Sequence, residues 1–340
     1  MGRRPRAPLV PVYRRRGLTA GREVRAAGHY DAWSRMKLEG IHHITCITAD
    51  AQANVDFYAR LLGLRMVKKT VNQDSPDVYH LFYADEEGSP GADLTFFEFP
   101  QAARGRAGDG MVHRIVWRVA AAEALDFWAA RLGGEGHATE RHGERLRFWD
   151  PEGLELELAV IDTPDEPLVA EHPEIPRELA LQGFDEVRAY SSDPERSRRL
   201  LEQALNFEPQ GDGWEARGER RGGLYAYDPP PSQRGVQGAG TVNHVAWASL
   251  DEEHEPWRER VLAAGATPTP VIDRFWFRSI YFREPSGVLF ELATFSPGFA
   301  ADEDLEHLGE TLVLPPWLEG RRAEIEAVLT PIKNPRQVTA

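Results

Sequence analysis

Two kinds of metal-capable residue recur at matched points along this 340-residue chain. Ile41-His42-His43-Ile44, Met111-Val112-His113-Arg114 and Val242-Asn243-His244-Val245 superpose as strand-like runs, so His43, His113 and His244 share one repeated position. A fourth run carries Glu186 there. Further on, Phe96-Phe97-Glu98-Phe99, Glu155-Leu156-Glu157-Leu158 and Leu289-Phe290-Glu291-Leu292 align Glu98, Glu157 and Glu291, while Leu224-Tyr225-Ala226-Tyr227 has no carboxylate. A carboxylate among such apolar neighbours is costly to bury without a partner, and a cation is a good partner. Imidazole plus carboxylate, with positions left open, suits Fe(II), Mn(II), Ni(II) or Zn(II). A single strand histidine is ordinarily a packing residue, and a single strand glutamate a solvated one. Repetition of both types is what points to a metal.

The elements that must carry these residues form a fourfold repeat. Strand-like runs at Ile41–Thr48, Met111–Val119, Phe184–Ser191 and Val242–Ser249 each lead into a helical segment. The helices are predicted over Ala51–Leu62, capped by Asp50, Ala121–Leu132, Pro194–Leu205 after Asp193, and Glu252–Ala264. Gly63, Gly133 and Gly265, with Asn206 in the third module, mark their ends. Shorter alternating runs follow, and Asp150-Pro151-Glu152-Gly153 and Glu284-Pro285-Ser286-Gly287 repeat one turn before the last strand. Each unit reads as βαβββ, a half-sheet that needs a partner to close a core. The fold class is therefore α+β, with four βαβββ modules forming two cupped mixed sheets. After Phe299 the repeat stops, and a C-terminal helix is predicted over Trp317–Leu329 behind Pro315-Pro316. Which modules share a site is left open. Pairing one with four offers His43, Glu98, His244 and Glu291. Pairing one with two offers His43, Glu98, His113 and Glu157. Pairing two with three offers His113, Glu157 and Glu186.

Composition narrows the function classes. A net charge of -14 argues against a general nucleic-acid binder. No apolar run reaches the ~18 residues of a membrane span. Cys46 is the single cysteine, which excludes internal disulfides and a cysteine-built zinc site and fits a reducing cytoplasm. The first 35 residues hold nine arginines against Glu23 and Asp31, with no apolar signal core. They read as a basic, disordered extension over 1–37, or as sequence upstream of a true start at Met36. The remaining boundaries are a first domain over 38–170 (modules 38–105 and 108–165), a second over 180–300 (modules 180–230 and 238–298), and a C-terminal extension over 301–340.

More specific stretches carry a resemblance. Gly40-Ile41-His42-His43-Ile44-Thr45, Val67-Lys68-Lys69-Thr70-Val71-Asn72-Gln73-Asp74, Tyr79-His80-Leu81-Phe82-Tyr83-Ala84-Asp85, Gly88-Ser89-Pro90-Gly91, Leu94-Thr95-Phe96-Phe97, Asp273-Arg274, Ser279-Ile280-Tyr281-Phe282-Arg283 and Gly287-Val288-Leu289-Phe290-Glu291 run across the chain. Together they resemble the glyoxalase-fold (vicinal-oxygen-chelate) ring-cleaving dioxygenases that act on hydroquinones, from about Leu38 to about Ile332. The resemblance implies one Fe(II), with Mn(II) as the alternative, on His43, His244 and Glu291, and so the one-with-four pairing. It implies an active-site lining that includes His42, Thr45, Arg274 and Tyr281. Asn243 stands where relatives often carry a second histidine. A Glu98 that reached the metal would make the site two histidines and two glutamates, closer to a glyoxalase-type isomerase.

The residues themselves add His42 and His80 as proton-transfer candidates, Arg274 as an oxyanion stabiliser and Tyr281 as a hydrogen-bond donor. On an ideal strand His42 alternates away from His43, so it reads as a supporting residue. The expected partners are a small dihydroxylated aromatic and O2, without nucleic acid or membrane. A homodimer is common for such folds, but no interface signature is visible. Two rivals stand beside the oxygenase: a metal-dependent lyase or isomerase that ignores O2, and a metal-free ligand-sequestering protein.

Overall fold

Sixteen strands form two eight-stranded sheets in the computed structural model, which describes residues 33–335, and the central run Ile41–Thr48 is buried along its whole length. The expectations for residues 1–32 lie outside the described residues. Module one consists of β1 (Ile41–Thr48), helix α1 (Ala51–Val55), β2 (Arg65–Asn72), β3 (Ser75–Ala84) and β4 (Asp93–Glu98). Module two consists of β5 (Val112–Val119), α2 (Ala122–Gly134), β6 (Thr139–His142), β7 (Arg145–Trp149) and β8 (Glu155–Val160). Module three consists of β9 (Phe184–Tyr190), α3 (Glu195–Arg198), β10 (Glu208–Gln210), β11 (Gly213–Arg217) and β12 (Gly222–Asp228). Module four consists of β13 (Thr241–Ser249), α4 (His254–Ala263), β14 (Ile272–Asp273), β15 (Arg278–Arg283) and β16 (Leu289–Thr294).

Local chemistry accounts for most element ends. The Asp50 side chain accepts the Ala53 N–H at 3.0 Å and starts α1. Helices α1 and α3 each widen into a π-type turn, Asp56–Leu61 and Arg199–Ala204, so both helical segments reach nearly their predicted ends. Gly63 and Asn206 take φ of 73° and 56° just beyond, and Gly265 takes 93°. Gly133 stays inside its helix, and the left-handed turn falls at Gly136 instead. The repeated turn is built twice in the same way. Asp150 accepts the N–H groups of Glu152 and Leu154, and Glu284 those of Ser286 and Val288. A buried tyrosine caps each, Tyr58 on Asp150 and Tyr227 on Glu284. The C-terminal helix is shorter than predicted, Arg322–Glu326 after a 3-10 turn.

Sheet order decides what shares a cup. The first sheet runs β14-β15-β16-β13-β1-β4-β3-β2, and the second β10-β11-β12-β9-β5-β8-β7-β6. Modules one and four therefore join through antiparallel β1 and β13, and modules two and three through β5 and β9. Within a module, first and last strands are parallel neighbours, and the helix connects the first strand to the second. The segments 38–170 and 180–300 thus each contribute one module to each sheet, and the described residues from Met36 onward are one compact unit. No helix of the described residues is long and apolar enough to cross a membrane.

Register also revises two alignments. The pairing slips alike between Ile41 and His43 and between Val112 and Arg114, so Arg114 takes the place of His43 and His113 that of His42. In module four, Ala246, two residues after His244, lies opposite Glu291. In module one, Thr45, two residues after His43, lies opposite Thr95. The counterpart of Glu291 is therefore Thr95, not Glu98, which lies opposite Thr48 and accepts the Ala51 N–H at the start of α1.

Candidate metal centre

His43 on β1, His244 on β13 and Glu291 on β16 come together on the sheet formed by the outer modules. Their relative exposures are 2%, 5% and 0%, so no solvent solvates the charge. The Glu291 Oε2 lies 2.9 Å from His244 Nε2 and 3.2 Å from His43 Nε2, and the two nitrogens are 3.3 Å apart. Among the described residues this is the one group of three with ligand atoms close enough to hold a metal ion.

The surrounding hydrogen bonds set the tautomers. His42 Nε2–H donates to the Thr294 carbonyl at 3.1 Å, which leaves its Nδ1 as an acceptor. His43 Nδ1–H donates to that nitrogen at 2.9 Å. His244 Nδ1–H donates to Asn243 Oδ1, also at 2.9 Å. Both Nε2 atoms are therefore lone-pair donors, and they face each other and a carboxylate. Neither Glu291 oxygen has a partner with hydrogen-bond geometry. Two imidazole lone pairs and an orphaned buried carboxylate repel one another unless a cation lies between them, so the donor set fits a divalent metal. Burial pushes the Glu291 carboxyl up, and positive charge at the two histidine Nε2 atoms, the place a cation would take, holds it well below the ordinary range. Burial, then the neighbouring His43, lowers His42 to about 3 and keeps that ring neutral.

Consecutive histidines can meet because β1 is irregular. Its pairing with β13 slips between Ile41 and His43, and a bulge at this point undoes strict alternation. That is why His42, expected to turn away, touches His43 ring to ring.

A cavity of about 410 Å3, counting its open mouth, lies over the histidines. Thr45, His80, Arg274 and Tyr281 line it beside His43 and His244, whereas His42 and Asn243 lie behind the two rings they hydrogen-bond. Tyr281 sits opposite Glu291 on β15, its ring 5.6 Å from that of His244 and beneath the Arg274 guanidinium. Burial raises the tyrosine, reinforced by Glu291, and Arg274 opposes this. Arg274 is held at the mouth by Asp74 at 3.0 Å, and Gln73 binds its backbone carbonyl at 2.9 Å. Burial drives His80 well below its ordinary value, helped by His43, His244 and Arg274.

Sequence reasoning missed the apolar wall, Phe82, Phe97, Trp276 and Phe277, and the threonine behind it, Thr95. The signal for three of these five was available. On β3 and β4, His80 with Phe82, and Thr95 with Phe97, stand two apart, the period of one strand face. Trp276 and Phe277 lie in a connection, where no periodicity marks them. Beneath them, fully buried Lys68 binds Asp302 and Glu303, and Trp276 Nε1 donates to the same Asp302.

The model of one family, the glyoxalase/bleomycin resistance protein/dioxygenase superfamily, matches residues 40–158 and 183–292. The chain belongs to that superfamily. Among its superfamily relatives is the "Putative ring-cleaving dioxygenase MhqA" of Bacillus subtilis, 40% identical over 320 residues, covering 88% of this chain and 100% of that one. The chlorohydroquinone/hydroquinone 1,2-dioxygenase of Sphingobium indicum is 33% identical over 308 residues, 85% of this chain and 95% of that one. A crystal structure of a Bacillus subtilis protein titled a putative dioxygenase superposes with a TM-score of 0.82 at 40% identity, covering 88% of this chain and 99% of the other. Maize glyoxalase I shares the superfamily fold, with a TM-score of 0.56 at 14% identity over 78% of this chain and 95% of that one.

Proposed function

We propose that this protein is an Fe(II)-dependent ring-cleaving dioxygenase of the extradiol type for a hydroquinone- or catechol-type aromatic, with Mn(II) as the alternative metal. His43, His244 and Glu291 would be the ligands. The observation that carries the reading is the register that puts Thr95 where a second carboxylate would stand. With two histidines and one glutamate, a metal keeps open positions for substrate and O2, the donor set of oxygen-using iron sites. Similarity to relatives named as ring-cleaving dioxygenases supports the same reaction class.

A metal bound there would supply Lewis acidity toward a ring hydroxyl and a redox path between ring and O2. The protein's own groups do the rest. His42 and Asn243 fix the two ligand rings with their Nε2 atoms forward. Arg274 and the Tyr281 hydroxyl face the cavity and stabilise negative charge on a ring oxygen. Phe82, Phe97, Trp276 and Phe277 sandwich an aromatic ring and exclude water around it. Thr45 and His80 offer polar contacts to a second hydroxyl.

The test is oxygen uptake by anaerobically prepared, iron-loaded protein given a panel of substituted hydroquinones and catechols. Uptake with product carrying both atoms of 18O2 is expected. No uptake with iron demonstrably bound would reject the reading, and turnover with Zn(II) or Ni(II) but without O2 would favour an isomerase.

A further inference from the structure

Thr95 is fully buried and does not line the cavity, yet it links two residues that do. Its hydroxyl donates to Thr45 Oγ1 at 2.9 Å, and its oxygen meets His80 Nε2 at 2.9 Å. A hydroxyl has one proton. With that proton directed at Thr45, Thr95 can only accept from the imidazole, so His80 is the Nε2–H tautomer and Nδ1 holds the lone pair. Nδ1 makes no hydrogen bond among the described residues, and the ring forms part of the cavity wall between Phe82 and Phe97. At the other end, Thr45 is two residues beyond His43 on β1 and pairs with His244.

We propose that His80, Thr95 and Thr45 form a proton relay with both ends in the cavity, and that Thr95 is the positioning residue that sets its direction. The proposal rests on the ring-cleaving reading. That reaction adds both atoms of O2 and expels none, so a proton lost from a substrate hydroxyl must reappear on a product oxygen. A substrate O–H bond breaks, its electron pair stays on the ring oxygen, and Nδ1–H forms. Nε2–H breaks as its proton moves to Thr95, the original Thr95 proton passes to Thr45, and the Thr45 proton leaves for a product oxygen beside the metal ligands. No imidazolium accumulates, which suits a ring whose burial, with Arg274 nearby, disfavours the cation. After product leaves, water at both ends runs the steps in reverse. The relay selects aromatics that present a free hydroxyl to His80.

Thr95→Val removes the hydroxyl with little change of shape, and Thr95→Ser restores it. In the iron-loaded protein, Thr95→Val should lower kcat about 100-fold, within the range of acid–base catalysis, while KM moves less than about threefold. Thr95→Ser should stay within about threefold of wild type, and both should bind iron fully. The second readout needs no turnover. In the full-length, metal-free protein, 15N NMR of the histidine rings, with His80 assigned by loss of its signals in His80→Gln, should show Nε2–H in wild type and Thr95→Ser. That tautomer should be lost in Thr95→Val. A wild-type Nδ1–H tautomer, or Thr95→Val turnover within twofold of wild type, overturns the relay. Wild type that shows Nε2–H but takes up no O2 across the panel overturns the oxygenase reading and the relay with it.

Discussion

The two sheets of this protein start from one plan and end with opposite electrostatics. On the outer-module sheet, His43, His244 and Glu291 aim three donor atoms at one point and leave it without a protein cation. On the inner-module sheet, Arg114 stands in the place of His43, and the adjacent His113 stacks on Tyr190 and bonds Asp228 at 2.8 Å. Glu157 is met by Arg145 at 2.5 Å and by Arg147 and Arg114, and Glu186 by Arg188 at 2.5 Å. Arg188 also binds Asp228 and Asp212. The lesson is that buried acids on this scaffold need a cation, and the chain supplies guanidinium in one sheet while leaving room for a metal in the other.

The sharpest way to break this contrast is Glu291→Gln. It should lower metal affinity more than about 100-fold and abolish activity, whereas metal retained at full occupancy would disprove the ligand assignment. Metal analysis after dialysis reads it. On the inner sheet, Arg188→Met should leave metal content unchanged but cost about 3–5 kcal/mol in urea unfolding, because Glu186 and Asp228 lose their main cation. If stability is unaffected, the arginines are decoration.

The Arg188 effect should depend on pH. Arg188 first, then His113, holds Asp228 below the ordinary carboxylate range. Its folded pKa lies below its unfolded one, so the stability is present above about pH 4 and disappears as pH falls through the folded value. The gap between wild type and Arg188→Met should therefore narrow in melts at about pH 3 relative to pH 7. A smaller effect belongs to the residue behind the ligand. Asn243→Ala should weaken metal binding about 10–100-fold, because His244 loses the partner that orients its ring. His113→Ala should change metal content not at all. A metal loss there would mean that the two sheets are not divided as described.

Much of the fold was legible because its signals are local. Asp50 as a cap, Gly63, Asn206 and Gly265 as left-handed exits, and the paired Asp150 and Glu284 turns all depend on residues within a few positions. His43 and His244 stood out because one residue type recurs in strands of the same kind. Glu98 misled because Phe-Glu-Phe resembles Phe-Glu-Leu in type, while partner strands count residues from the histidine and not from the motif. Gly133 misled because a second glycine follows it and the helix continues through both before ending.

The sequence by itself determined the four modules, their internal order and the residue types available to a metal, since periodicity, caps and turns are nearest-neighbour properties. The pairing of module one with module four, which the residues left open and the resemblance implied, was decided by the tertiary structure, as were the register that puts Thr95 at the position of a second carboxylate and the bulge that brings His42 against His43. Those choices turn on hydrogen bonding between strands about 200 residues apart in the chain, where a one-residue slip reverses every side chain and no local pattern records the register.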